Sequence, residues 1–138
     1  MTTPAEITAH MLQHDRFSQG LGLQIDATGP GYCKLHFTVS ELHLNGFQVV
    51  HGGVLFSAAD SAFAFACNSH GILTLALDAN ISFMRPAHKG DTLTVEAKEI
   101  HRGGRTGVYE VRIANPAGEL VALFKGTAYQ TSKTIDVQ

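Results

Sequence analysis

Apolar and polar positions change period along this chain. Cys33, Leu35, Phe37 and Val39 alternate with Lys34, His36 and Thr38, which predicts a strand with one wet face. Leu73, Leu75, Leu77, Ala79, Ile81 and Phe83 alternate likewise with Thr74, Ala76, Asp78, Asn80 and Ser82, up to the break at Arg85-Pro86. Further strands are expected over residues 21–27, 91–101, 109–113 and 120–129, punctuated by Gly29-Pro30-Gly31, Gly103-Gly104 and Asn115-Pro116-Ala117-Gly118. Between the second and third strands, a polar loop over residues 40–50 leads into a run from Val54 to Cys67 that is apolar nearly all the way round and rich in alanine. That composition predicts a helix over residues 53–70, buried on most sides. A shorter helix over residues 4–19 is expected from Pro4, the stripe Ile7, Met11 and Leu12, and the stop at Gly20.

The order is therefore helix, two strands, a long buried helix, then four strands. The short turns predict antiparallel pairing of consecutive strands. One sheet facing a helix that is apolar all round must curl about it, and part of the helix is expected to pack against another chain. The fold class is α+β in one domain spanning residues 1–138.

Composition narrows the function. Of the 138 residues 44% are hydrophobic and 16% charged, enough for a packed core, and the net charge of −2 offers no electrostatic footprint for nucleic acid or an anionic membrane surface. No apolar run approaches the ~20 residues of a membrane span. The N-terminus lacks the basic-then-apolar order of a signal peptide, so a cytoplasmic location is expected. Cys33 and Cys67 sit in apolar patterns and read as small buried hydrophobes rather than a disulfide pair.

Asp60 is the residue that the patterning does not explain. It falls mid-helix in the most apolar stretch, and no Lys or Arg occurs between Lys34 and Arg85. An unpaired carboxylate there costs several kcal/mol by rough estimate, which marks it as a functional candidate. The structural alternative is a solvent channel or contact with the Ser57 and Ser61 hydroxyls. His51-Gly52-Gly53 opens the same helix, where free amides and the positive dipole end suit a developing oxyanion. Gly53 and Asp60 are seven residues apart, about 10 Å along a helix. A single chain therefore cannot bring both to one carbonyl, and a site shared between two antiparallel helices is expected. Other candidates recede: His10 and His14 lack a third metal ligand, Ser57, Ser61 and Ser69 lack a nucleophile elbow, and Cys67 has no cation to activate it. His51 is either a base or a loop brace. No metal or redox cofactor is implied.

Taken together these residues resemble the hotdog-fold thioesterases of the phenylacetate-degradation (PaaI) family, over roughly residues 22–129. The resemblance rests on Leu44-Asn45-Gly46, the run from His51 to Ser57, Ala59-Asp60, Ala66-Cys67-Asn68-Ser69, Arg85-Pro86, Gly90-Asp91-Thr92-Leu93, Thr106-Gly107-Val108-Tyr109 and Val121-Ala122-Leu123-Phe124. It implies a sheet wrapped about a central helix, dimers that pair into tetramers, and hydrolysis of acyl-CoA thioesters, aryl-acetyl ones being typical. It places the family aspartate on Asp60 as nucleophile or base, the oxyanion amide on Gly53 or Gly52, and the family asparagine on Asn45. Some relatives carry Ser or Thr on the strand after the helix, where this chain has Ala76. The acyl pocket is expected at Phe47, Phe56 and Phe63. The CoA phosphates are expected near Arg85, Lys89, Arg102 and Arg105, with Thr106 beside them. Two rivals are a hotdog acyl-thioester hydratase or dehydratase using His51 with Asp60, and a non-enzymatic acyl-CoA sensor; the latter lacks a basic DNA-binding segment.

Overall fold

The computed structural model describes residues 2–137. Helix α1 (Pro4–His14) starts at a capping box in which Thr3 and Glu6 satisfy each other's backbone amides. The expected helix to residue 19 is instead two helices. The Asp15 side chain accepts from the Ser18 amide and hydroxyl and so restarts the chain as α2 (Arg16–Gly20), a short acidic side chain competing for helical amides. The first strand begins late for a related reason: Gly22 turns at a φ of +80° and Leu23 still bonds back to Ser18. β1 is Gln24–Gly29 and β2 is Tyr32–Thr38, joined through Gly31 at positive φ.

A 3-10 turn (Glu41–His43) and a tight loop lead to α3 (Gly52–Asn68), followed by β3 (Ile72–Phe83), β4 (Thr92–Arg102), β5 (Thr106–Ala114) and β6 (Leu120–Thr134). All pairings are antiparallel. The order across the sheet, β1-β2-β4-β5-β6-β3, corrects the expectation that consecutive strands pair throughout. β3 lies at the edge against β6, and residues 84–91 cross to β4. That crossing spans about 14 Å at the usual strand spacing, well within what eight residues can reach when extended, about 26 Å.

The concave face presents Leu35, Phe37, Val95, Val111 and Phe124 to Leu55, Ala58, Ala59, Ala62 and Phe63 of α3, all buried. Gly126 makes the closest of these contacts workable, since a Cβ there would lie 2.8 Å from the Phe63 ring. On the far side α1 and α2 cover part of α3; Ser18 is fully buried and its hydroxyl meets that of Ser61 at 2.7 Å. The chain thus covers more of its own helix than the pattern foretells. Gly53 is exposed and a half-exposed stripe continues from it at Ser57, Asp60 and Ala64, and the edge strand leaves Leu75 and Leu77 more than half exposed. No helix among the described residues is long and apolar enough to cross a membrane. Cys33 and Cys67 are free and buried, their thiols pushed up to about 12 by burial.

Candidate active site

α3 is nucleated by His51. Its backbone is extended at the N-cap, and its ring Nδ1 accepts from the Gly53 amide at 2.8 Å. Its carbonyl accepts from Val54 at 2.9 Å, and its own amide donates to the His43 carbonyl at 2.8 Å. Three of the four amides that a helix start leaves open are thereby taken. The fourth, on Gly52, meets no acceptor among the described residues. This refines the choice left open between the glycines: Gly53 is engaged by its own N-cap, whereas Gly52 is free to donate. The same contact bears on the ring of His51. With Nδ1 accepting from a backbone N–H, the neutral ring carries its proton on Nε2 and presents a donor there rather than a base.

Asp60 lies two turns further on, half-buried. Among the described residues its carboxylate takes part in no hydrogen bond or ion pair; Ser61 is committed to Ser18, and no bond joins Ser57 to it. Desolvation holds its carboxyl above the usual aspartate range, the direction that makes a carboxylate a stronger base near neutral pH. α3 runs unbroken from Gly52 to Asn68, so Gly52 and Asp60 are separated by about 12 Å along the axis.

Asn45 stands on the loop before α3, bridged by Leu44 and Val50. Its Oδ1 accepts from the Phe47 amide at 2.8 Å, while its Nδ2 is left as an outward donor. The loop closes through Gln48, the one non-glycine described at positive φ, 62°, and it is anchored to the helix start by the His51 amide on the His43 carbonyl at 2.8 Å.

The expected acyl pocket is not assembled from Phe47, Phe56 and Phe63. Phe63 is core, 1% exposed and packed on Tyr109 and Phe124. Phe56 stacks edge-on to Phe124 at 5.4 Å, and Phe47 is 88% exposed at the loop tip. The basic residues, neighbours in sequence, separate in space. Arg85 pairs with Glu119 at 2.6 Å and Lys89 approaches Glu41 at 3.9 Å, both before β4. Arg102, on Gln130 at 2.7 Å, and Arg105, on the Tyr129 hydroxyl at 3.1 Å, lie with Thr106 at the other end of that strand, about 30 Å away. Sequence reading missed the groove beside Gly52, lined by Val50, Leu55, Phe83, Met84 and Pro86, with a volume of about 420 Å³. Its signal was Phe83-Met84 next to the Arg85-Pro86 break, but the pairing that carries Phe83 to the helix start is long-range. Also missed was a knot at the opposite end of α3, where Glu99 accepts from Tyr109 at 2.7 Å and contacts His70 at 2.7 Å.

Comparisons with known proteins agree with this geometry. Residues 47–122 match the model of the thioesterase superfamily. The acyl-coenzyme A thioesterase PaaI of Escherichia coli K12 is 43% identical over 98% of this chain and 97% of its own length. The solved structure of the E. coli PaaI protein from the phenylacetic acid degradation operon superposes with a TM-score of 0.94 at 41% identity, covering 96% of each chain. A Streptococcus mutans UA159 protein solved bound to acetyl CoA gives a TM-score of 0.79 at 25% identity over 82% of this chain and 91% of its own. With a sheet curled about one central helix and a free amide and a lone carboxylate on that helix, the chain belongs to the thioesterase superfamily and has its hotdog fold.

Proposed function

We propose that this protein hydrolyses acyl-CoA thioesters, releasing a free acid and CoA, in an active site completed by two copies of the chain. The observation that carries the reading is the pair on α3: an unpartnered Gly52 amide and an unpartnered, desolvated Asp60 carboxylate. The amide is suited to an oxyanion, the carboxylate to attack on the carbonyl or activation of water. Family membership and the acyl-coenzyme A thioesterase among its relatives support the hydrolytic reaction. The Nε2-protonated ring of His51 weighs against the rival hydratase chemistry, which needs a basic histidine.

Both groups must lie within about 3 Å of the reacting atoms, so the 12 Å spacing on one helix requires a second chain. The half-exposed stripe on α3 and the unpaired, leucine-rich edge of β3 support such a dimer, because an apolar sheet edge is seldom left open. Antiparallel pairing of two β3 edges brings the Gly52 end of one chain toward the Arg102–Arg105 end of its partner. Arg85, Arg105 and Thr106 then serve one CoA from two chains, with Asn45 Nδ2 beside the thioester. An aryl-acetyl or medium aliphatic acyl group, a dimer of dimers and a cytoplasmic location complete the reading.

Thiol release from a panel of acyl-CoAs, with enoyl formation followed in parallel, tests the reaction. A second experiment tests the shared site. Inactive Asp60→Asn and Gly52→Val chains are mixed and co-refolded. One site of each heterodimer carries both lesions and the other none, so activity near a quarter of wild type is expected. Mass-confirmed heterodimers as inactive as their parents would refute the two-chain site.

A further inference from the structure

We infer that Phe83 and Met84, at the end of β3, form the wall that selects the acyl group. The inference rests on the thioesterase reading above and deepens it. Gly52 lies at the floor of the adjoining groove, and a Cβ added there would stand 3.2 Å from the tip of the Phe83 ring. The Phe83 ring therefore stands beside the Gly52 backbone, within reach of a group held at its amide. The remaining walls are Val50, Leu55 and Pro86, all apolar. The one charge at the rim, Arg85, is neutralised by Glu119 at 2.6 Å, so the groove does not suit a carboxylate.

Phe83 and Met84 are 55% and 47% exposed, an apolar surface unusual beside a polar helix start and one that gains by being covered. The phenylalanines expected to line a pocket are unavailable, two of them held against Phe124 and the third at the loop tip. The groove volume of about 420 Å³ lies at the small end of ligand sites. The backbone here is fixed, with the Met84 amide on the Val121 carbonyl at 2.8 Å, so the two side chains and not the main chain set the width.

The test compares kcat/KM for acetyl-, phenylacetyl-, octanoyl- and dodecanoyl-CoA in wild type, Phe83→Ala and Met84→Trp. The expected result is opposite movement: the dodecanoyl-to-acetyl ratio rises by about tenfold in Phe83→Ala and falls by about tenfold in Met84→Trp, the scale of a few methylenes in a pocket. Phenylacetyl turnover falls with dodecanoyl in Met84→Trp. Damage to folding or to CoA binding lowers all four substrates together and leaves the ratios fixed, and that outcome overturns the inference, as does movement of both variants in the same direction. Melting temperature and gel filtration accompany each variant; should Met84→Trp not fold, Phe83→Ala and Phe83→Leu carry the comparison through the size of residue 83. Wild-type protein that turns over none of the four sinks the thioesterase reading itself, whereas active wild type with unmoved ratios sinks only the assignment of this wall.

Discussion

Replacing Asp60 by Asn should stabilise the protein and abolish its chemistry in the same step. The carboxylate is half-buried on α3 with no hydrogen bond or ion pair among the described residues, and desolvation raises its pKa above the ordinary 3.8. A raised folded pKa means that the native state holds a proton where the unfolded chain has lost it. Native stability therefore falls as pH climbs from the unfolded value to the folded one, and stays at the lower level above it. Asparagine has the same shape and never ionises. The two proteins should match in stability at pH values below 3.8, and the variant should pull ahead across the titration window. At pH 7 the gain should be on the order of 1 kcal/mol, the usual scale when a functional group is relieved of an unfavourable setting. That corresponds to a rise of about 4 °C in melting temperature for a domain of this size. Turnover should drop by about 10²–10⁴ for loss of a general base, and further if the carboxylate is the nucleophile. Thermal melts across pH, paired with thiol-release kinetics, measure both. A variant that is less stable than wild type at pH 7 would show that Asp60 has a compensating partner. A variant retaining more than a tenth of wild-type turnover would remove it from the mechanism.

Gly126→Ala should lower the melting temperature by several degrees, a cost of about 1–3 kcal/mol, because its Cβ would lie 2.8 Å from the Phe63 ring; combining it with Phe63→Leu should recover part of the loss. Tyr109→Phe deletes the hydroxyl that donates to Glu99 at 2.7 Å and should cost about 1 kcal/mol in urea unfolding. Burial disfavours ionised Glu99, but Tyr109, His70 and Arg102 outweigh it and hold the carboxyl below 4.5; this stabilisation is present above that value and lost as pH falls through the depressed one, so wild type and a Glu99→Gln variant should converge in strong acid. His51→Ala removes the ring acceptor from the Gly53 amide and frees a second donor at the helix start, so stability should fall by about 1 kcal/mol; proteolysis should report fraying at residues 51–53.

What could be read from the sequence depended on how far apart the deciding residues stand. The isolation of Asp60 was legible because it is a linear fact: the stretch between Lys34 and Arg85 contains no cation, and the surrounding alanines and phenylalanines announce a buried helix. Strand existence was legible from period-two alternation, and five of the six strands were placed to within about three residues. Strand order was not, because β3 reaches β6 only after residues 84–91 have crossed three positions in the sheet, and no local pattern encodes which neighbour an apolar edge will choose. The same blindness extends to the phenylalanines. Phe56, Phe63 and Phe83 have the same composition value in a sequence; the glycine at position 126, 63 residues beyond Phe63, draws that ring into the core, whereas Phe83 is carried to the helix start by its strand's position at the sheet edge.

The arginines carry this reasoning one step further. Arg85, Arg102 and Arg105 looked like one phosphate site because 21 residues contain them all, yet an intervening extended strand sets them at its opposite ends. If a single CoA uses both groups, the distance must be closed by a partner whose β3 runs the other way. The gap between Gly52 and Asp60 on α3 imposes the same demand from inside the site. Two separations within one chain, one of about 12 Å along a helix and one of about 30 Å along a strand, would thus both be bridged by a single two-fold arrangement, and neither is bridged by any motion that leaves α3 and β4 intact.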